Sequence, residues 1–170
     1  VTGISNTRLT QMREEERMAR DLYTRLAASS GEAIFTRIAG AEQRHLDAVE
    51  RLMTSQGMKP DAAGNTVGRY ADADLQSAYT AWLASGSASD QAAYKVGVAL
   101  EKRDITDLKN VTAPSGTPAA RVVAALLAGS EHHLSAFTKA VNGDFTTAGP
   151  GMGMGQGGRG NAGGACSYGE

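Results

Sequence analysis

Glu42 and His45 are the residues of this sequence whose types and spacing point most directly to chemistry. A carboxylate and an imidazole three positions apart lie on the same face of a helix. A charge that is buried without a partner costs free energy. Two ionisable groups on a core-facing surface therefore need a partner, and a metal ion is one possibility. The other residues at helical spacing on that face are apolar: Phe35, Ile38, Val49 and Leu52.

The Glu42-x-x-His45 pair matches a motif with which helical bundles bind two iron or manganese ions. The motif is short, and a histidine hydrogen-bonded within the core is the alternative interpretation. The two interpretations differ in one requirement, because a metal centre needs further carboxylate or imidazole ligands from other helices. The inward faces of the remaining helices therefore decide between them.

Helical periodicity predicts four long helices and one short helix, and no strand. The first helix is predicted to begin at Asn6 or Thr7 and to end near Ser29, before Gly31. The second helix is predicted over residues 32–56, and the short helix over residues 72–84. The next helix is predicted to follow a cap at Ser87 or Ser89 and to end at Val111. The last is predicted to begin at Pro118, after the cap Thr117, and to end at Val141.

This layout predicts an all-α fold, a ferritin-like antiparallel four-helix bundle. The turn between the first two helices is short, so these helices must run antiparallel. A long crossover that contains the short helix joins the second and third long helices, and one long crossover separates ferritin-like bundles from simple up-down bundles. An array of helical repeats is disfavoured, because no repeat of roughly 34 to 45 residues is visible.

The composition changes near residue 148. We predict a bundle domain over residues 1–148 and a Gly- and Met-rich tail over residues 149–170. Met152, Met154 and Cys166 are soft ligands that would suit copper(I), although a solvated tail with incidental sulfur atoms is the favoured interpretation. We expect the tail to contact its own bundle or a neighbouring subunit, which would give a homo-oligomer or a larger assembly.

The charge balance argues against nucleic acid and anionic membranes as partners, because 17 basic and 18 acidic side chains leave a net charge of −1. No apolar run approaches the roughly 18–20 residues of a membrane span. The single cysteine excludes an intrachain disulfide and a rubredoxin-type or Cys-based zinc site. From the first residue, Val1, we expect a processed or shortened chain, secreted or held in the cell envelope, with a cytoplasmic location as the alternative.

Each predicted long helix places an acidic or imidazole side chain on its inward face. Four carboxylates and two imidazoles at one level of a bundle would repel each other unless a cation were bound. Oxygen-rich ligation with some imidazole suits iron or manganese, and zinc or copper would also fit such ligands. The six inward-facing candidates are Glu16, Glu42, His45, Glu101, Asp104 and His133.

Four stretches of the chain resemble a known family. Residues 16–23, Glu-Arg-Met-Ala-Arg-Asp-Leu-Tyr, and residues 41–45, Ala-Glu-Gln-Arg-His, resemble the first half of rubrerythrin-type ferritin-like proteins. More closely, they resemble a bacterial and archaeal ferritin-like family catalogued as a domain of unknown function, to whose second half residues 101–108 and 133–137 are similar. The resemblance covers roughly residues 9–142. It implies a ferritin-like fold and the same six residues as metal ligands.

One position departs from the full di-iron pattern. Ser130 precedes His133 by three positions, where Glu42 precedes His45, so the second half of the chain lacks one glutamate. Asp104 adds a carboxylate that is one methylene shorter than glutamate. One metal ion and an asymmetric pair of ions are therefore both open.

The resemblance and the ligand set imply a protein that binds one or two iron ions, with manganese or zinc as alternatives. Its role would be oxidase or peroxidase chemistry, or metal sequestration. Tyr23, near Glu16, would donate a hydrogen bond or be oxidised, although packing in the core is the favoured interpretation of this residue. The alternative is a structural or interaction protein with a vestigial site, whose Gly-rich tail docks on a partner or forms an assembly.

Overall fold

The computed structural model describes residues 3–60 and 66–144. Within this part of the chain there are five helices and no strand. The helices are α1 (Asn6–Ser30), α2 (Ala33–Ser55), α3 (Ala73–Gly86), α4 (Asp90–Lys109) and α5 (Pro118–Asn142).

Several predictions concern residues outside the described part. They are the domain boundary at residue 148, the tail over residues 149–170 with Met152, Met154 and Cys166, and the interpretation of Val1. Among the described residues, no helix combines the length and the apolar character that crossing a membrane requires.

Local sequence explains where the helices begin and end. Ser5 caps α1, since its hydroxyl accepts the backbone N–H of Arg8 at 3.2 Å, and the predicted caps Asn6 and Thr7 lie inside the helix instead. Ser89, one of the two predicted candidates, caps α4, and Thr117 caps α5 as predicted. Gly31 ends α1 with a φ of 74°, a left-handed conformation that glycine adopts without steric cost.

The four long helices form an antiparallel bundle in which α1 packs against α2 and α4, and α5 packs against the same two helices. Two contacts fix the direction of α4 relative to α1. Arg8, near the start of α1, donates to the carbonyl of Asp107, whereas Tyr23, later in α1, donates to Glu101, earlier in α4. Because α1 runs antiparallel to both α2 and α4, the crossover joins two parallel helices, which is the ferritin-like arrangement.

The crossover is tied to α1 by Arg17. The sequence places this side chain away from the inward face of α1, and the structure buries it under the crossover instead of exposing it. Its guanidinium donates to the carbonyls of Thr66 (3.1 Å) and Arg69 (2.5 Å) and pairs with Glu14 at 2.8 Å. A buried guanidinium is tolerated here because its donors are satisfied.

α4 buries a wide arc of its surface, because α3 packs on the side that faces away from the bundle centre. Val98 is half-buried, whereas Val96 and Leu100 are buried in one hydrophobic cluster with Leu75 and Tyr79 of α3. The periodicity of α4 alone carries no sign of this second packing partner.

Two hydrophobic clusters fill the bundle, one on each side of a polar layer. The aromatic cluster includes Tyr23, Phe35, Tyr94 and Phe137. The aliphatic cluster includes Leu9, Met12, Val49, Leu52 and Leu126. The buried polar residues that belong to neither cluster include Glu16, Glu42, Glu101, Ser130 and His133.

Candidate metal centre

The polar layer is centred on Glu42, which is buried on α2. Its Oε2 atom lies 2.8 Å from Nδ1 of His45, one turn along the same helix. Its Oε1 atom lies 2.9 Å from Nδ1 of His133, on α5. One carboxylate therefore contacts two imidazoles on two helices, and the ring centroids of these imidazoles are 5.6 Å apart.

Two further carboxylates flank the imidazoles. Glu16 of α1 places Oε2 3.4 Å from Nδ1 of His45, and Glu101 of α4 places Oε1 3.6 Å from Nδ1 of His133. Potential ligand atoms thus form two groups, each within 4.8 Å: Glu16, Glu42 and His45, and Glu42, Glu101 and His133. Because Glu42 belongs to both groups, the layer offers two adjacent three-ligand positions joined by one carboxylate.

Asp104 and Ser130 lie at the edge of this layer. The Ser130 hydroxyl lies 2.5 Å from Oδ2 of Asp104 and 3.0 Å from the carbonyl oxygen of Leu126. Asp104 is thus held by Ser130 and belongs to neither three-ligand group. The serine that replaces the second glutamate partners a carboxylate from α4 instead of leaving a gap.

Tyr23 supports the α4 side of the layer. Its hydroxyl donates a 2.6 Å hydrogen bond to Oε1 of Glu101, and its ring packs against Phe137 with centroids 5.2 Å apart. The sequence suggested Glu16 as the neighbour of Tyr23. The antiparallel packing of α4 brings Glu101 to this hydroxyl instead.

The central carboxylate stays ionised in the metal-free protein. Burial favours its neutral form, but contacts with His133 and His45 outweigh burial and lower the pKa of Glu42 to about 2. Burial likewise disfavours the charged imidazoles, and the neighbouring carboxylates outweigh it, raising the pKa of His45 to about 10 and that of His133 to about 9. At neutral pH both imidazoles are therefore protonated on both nitrogens and positively charged.

The other carboxylates near the layer, those of Glu16, Glu101 and Asp104, keep their protons to a higher pH than ordinary carboxylates do. Burial raises the pKa of Glu101 to about 8 and that of Asp104 to about 6, and it raises the pKa of Glu16 well above its usual value. A proton on Glu101 and the positive charges of the two imidazoles beside Glu42 reduce the repulsion expected among the carboxylates. Electrostatic repulsion alone therefore does not require a metal ion, and an ion that binds must displace protons.

Nδ1 of His133 indicates that these residues fit a metal ion. This atom is buried and makes no hydrogen bond within the described part of the chain. Its contacts with Glu42 and Glu101 are ion pairs that exist only while the imidazole is protonated. A buried polar atom left unsatisfied costs free energy. A cation between Glu42, Glu101 and His133 would use this nitrogen as a ligand.

Gly129 of α5 is a residue of the centre that the sequence interpretation missed. A Cβ atom at this position would stand 2.4 Å from Nε2 of His45. A signal was present, since glycine inside a helix is destabilising unless close packing requires it. Two cationic side chains on the same helices as the ligands lie away from the centre: Arg20 donates to Asp21 and Gln43, and Lys102 is exposed.

The fold and the site together define a ferritin-like helical bundle with a buried cluster of carboxylates and imidazoles that could hold metal. Residues 6–148 match the model of the family described as an uncharacterized protein domain, DUF2202. The chain belongs to this family, as the resemblance in its sequence implied.

Two comparisons concern the same archaeal relative. The "Uncharacterized protein MJ0754" of Methanocaldococcus jannaschii is 32% identical over 135 residues, which cover 79% of this chain and 73% of that protein. A crystal structure of hypothetical protein MJ0754 from Methanococcus jannaschii superposes with a TM-score of 0.76 at 30% identity, covering 85% of each chain. Neither name states a function.

Proposed function

We propose that this protein binds two iron ions at the polar layer and uses them to reduce peroxide or dioxygen. The observation that carries the proposal is the position of Glu42. Its two oxygen atoms address His45 and His133 separately, and each imidazole has a second carboxylate of its own. A carboxylate shared between two three-ligand positions suits a pair of adjacent cations.

The chemistry of the donor atoms favours iron or manganese over zinc. Three carboxylates and two imidazoles form the two positions. Structural zinc sites usually have four ligands rich in thiolate or imidazole, whereas carboxylate-rich sites with open positions suit iron and manganese. Manganese is the nearest alternative, and zinc follows it.

The residues of the layer have distinct roles in this proposal. Glu42 would help to hold both ions, while Glu16 and Glu101 would each help to hold one of them. The Tyr23 hydroxyl orients Glu101 through its 2.6 Å hydrogen bond. A bound pair of ferrous ions would supply one electron each to an oxygen–oxygen bond and become ferric, and a reductant from outside the chain would return them to the ferrous state.

Access to the layer differs among its residues. The carboxylates of Glu16, Glu42 and Glu101 are almost wholly enclosed, whereas the side chains of His45 and His133 are 15% and 11% exposed. The hydrophobic clusters on either side exclude bulk water from the carboxylates. A molecule the size of peroxide would therefore reach the layer past the imidazole edges, on the side where α2 and α5 meet.

Metal content measured by elemental analysis tests the binding proposal. Protein purified from iron-replete cells is expected to hold two iron ions per chain, and Glu42→Gln to hold almost none. Glu131→Gln is the matched control, because Glu131 is an exposed glutamate beside the same layer. Equal metal content in Glu42→Gln and the parent chain, with both proteins folded by circular dichroism, would refute the shared-carboxylate centre.

A second measurement tests the redox role. The ferrous-loaded protein, mixed anaerobically with hydrogen peroxide, is expected to show an absorbance change and to consume peroxide with the electrons of its iron. Loading with zinc is the control, because zinc has no redox chemistry. Stoichiometric iron binding without peroxide or dioxygen consumption would contradict the redox role and identify the protein as one that sequesters metal.

A further inference from the structure

Gly129 on α5 lies directly against the imidazole of His45 on α2. A Cβ atom at position 129 would stand 2.4 Å from Nε2 and 2.5 Å from Cε1 of His45. These separations are about 1 Å shorter than favourable contact between non-bonded heavy atoms. Even a methyl group at position 129 therefore excludes the present position of the His45 ring.

Any shift of this ring also changes its contacts with the centre. Its Nδ1 atom lies 2.8 Å from Glu42 and 3.4 Å from Glu16, and α2 and α5 pack against each other. A ring displaced by a methyl group therefore loses the position in which it makes both of these contacts. His133, on the same helix as Gly129, would keep its contacts with Glu42 and Glu101.

We propose that Gly129 is a positioning residue that decides how many metal ions the centre holds. Its missing side chain admits the His45 ring and so creates the position formed by Glu16, Glu42 and His45. The position formed with His133 does not depend on it. This role presupposes the metal centre of the proposed function.

The corresponding position on α2 carries a methyl group. Gly129 immediately precedes the Ser130-x-x-His133 segment of α5, and Ala41 immediately precedes the corresponding segment of α2. Glycine inside a helix is less favourable than alanine. Glycine at position 129 therefore lowers the stability of α5, and its close contact with His45 is the reason for a glycine there.

A double-mutant cycle in the metal-free protein tests the contact. Gly129→Ala is expected to lower the melting temperature of the parent chain, because the new methyl group collides with His45. In a His45→Ala background the same substitution should raise the melting temperature by about 2–4 °C, because alanine favours the helix. Gly40→Ala is the matched control and should raise the melting temperature in both backgrounds, since Gly40 is exposed on α2 and a Cβ atom there would lie 3.9 Å from Nη1 of Arg44.

Anaerobic titration with ferrous iron tests the role in the centre. The parent chain and Gly40→Ala are expected to bind two ions, and Gly129→Ala to bind one. Adding His133→Ala to Gly129→Ala should remove the remaining ion. Circular dichroism on each variant establishes that ions are lost from folded protein.

The possible outcomes separate this role from the metal centre itself. Equal rises in melting temperature for Gly129→Ala and Gly40→Ala in the parent chain would overturn the contact. Two ions bound by folded Gly129→Ala would overturn the role in ion number. A parent chain that binds no ferrous iron would refute the metal centre and with it the role in ion number, while the metal-free cycle would still decide whether His45 depends on Gly129.

Discussion

The two halves of the candidate centre hold their ligands by different means. On the α1/α2 side, Glu42 and His45 lie one turn apart on a single helix, and Glu16 faces the same imidazole. On the α4/α5 side, Glu101 and His133 come from separate helices and share Glu42 with the first half. The first half therefore has its own glutamate and imidazole on one helix, whereas the second depends on a carboxylate from another helix.

The supporting contacts of the two halves also differ. Glu101 accepts a hydrogen bond from Tyr23, and Ser130 holds Asp104 beside this half. His45 instead depends on the absence of a side chain at Gly129. Side-chain hydrogen bonds thus support one half and close backbone approach supports the other, so substitutions should separate them.

Removing one imidazole at a time should give the largest difference. His45→Ala is expected to lose the ion held by Glu16 and Glu42, and His133→Ala the ion held by Glu42 and Glu101. Each variant should retain one ion per chain in elemental analysis. His132→Ala, which removes an exposed histidine next to His133, should retain two. Loss of both ions in either variant would show that the halves are not separable.

The stability of the metal-free protein should fall as the pH rises. The pKa values of His45 and His133 are raised from 6.5 to about 10 and about 9, so the folded protein binds more protons than the unfolded chain. Their contribution is fully present below pH 6.5 and is lost as the pH rises through the folded values. Melting temperatures measured between pH 6.5 and pH 9 should therefore decline.

Glu101 should add to this decline in the metal-free protein. Burial raises the pKa of Glu101 from 4.5 to about 8, so its ionisation above pH 4.5 also favours the unfolded chain. Glu101→Gln should therefore give a shallower decline than the parent chain. In the iron-loaded protein the melting temperature should instead rise with pH. Iron competes with protons for these ligands and binds more tightly as the protons leave. A melting temperature independent of pH in the metal-free parent chain would contradict the assigned protonation states.

Tyr23→Phe should weaken the second half selectively. The substitution removes the donor to Glu101 and leaves the Tyr23 packing against Phe137 almost unchanged. Loss of a group that orients a metal ligand typically weakens binding by about 10- to 100-fold. Titration with ferrous iron should show one ion bound as in the parent chain and one bound more weakly. Tyr79→Phe is the control, because Tyr79 packs against Tyr70 away from the centre, and equal weakening in both variants would contradict the role of Tyr23.

The sequence predicted the helices and the inward carboxylates better than it predicted their neighbours. Periodicity and capping residues are local, so α1 to α5 were placed within a few residues. The partner of Tyr23 depends on how α4 runs past α1, and the burial of Arg17 depends on the path of the crossover. The close approach of Gly129 to His45 depends on the spacing of α2 and α5. These are tertiary facts that no single helix encodes.

Ser130→Ala should have the smallest effect on stability and metal binding. It tests whether Asp104 and Ser130 belong to the α4/α5 half of the centre. The substitution removes the hydroxyl 2.5 Å from Asp104, which is half-buried and therefore partly able to exchange this partner for water. The expected loss in the free energy of unfolding of the metal-free protein is about 1 kcal/mol, measured by urea denaturation. Because Asp104 lies outside both three-ligand groups, the variant should still bind two ferrous ions. Loss of an ion from folded Ser130→Ala would instead make the Asp104–Ser130 pair a working part of the second half, equivalent to the glutamate that this position lacks.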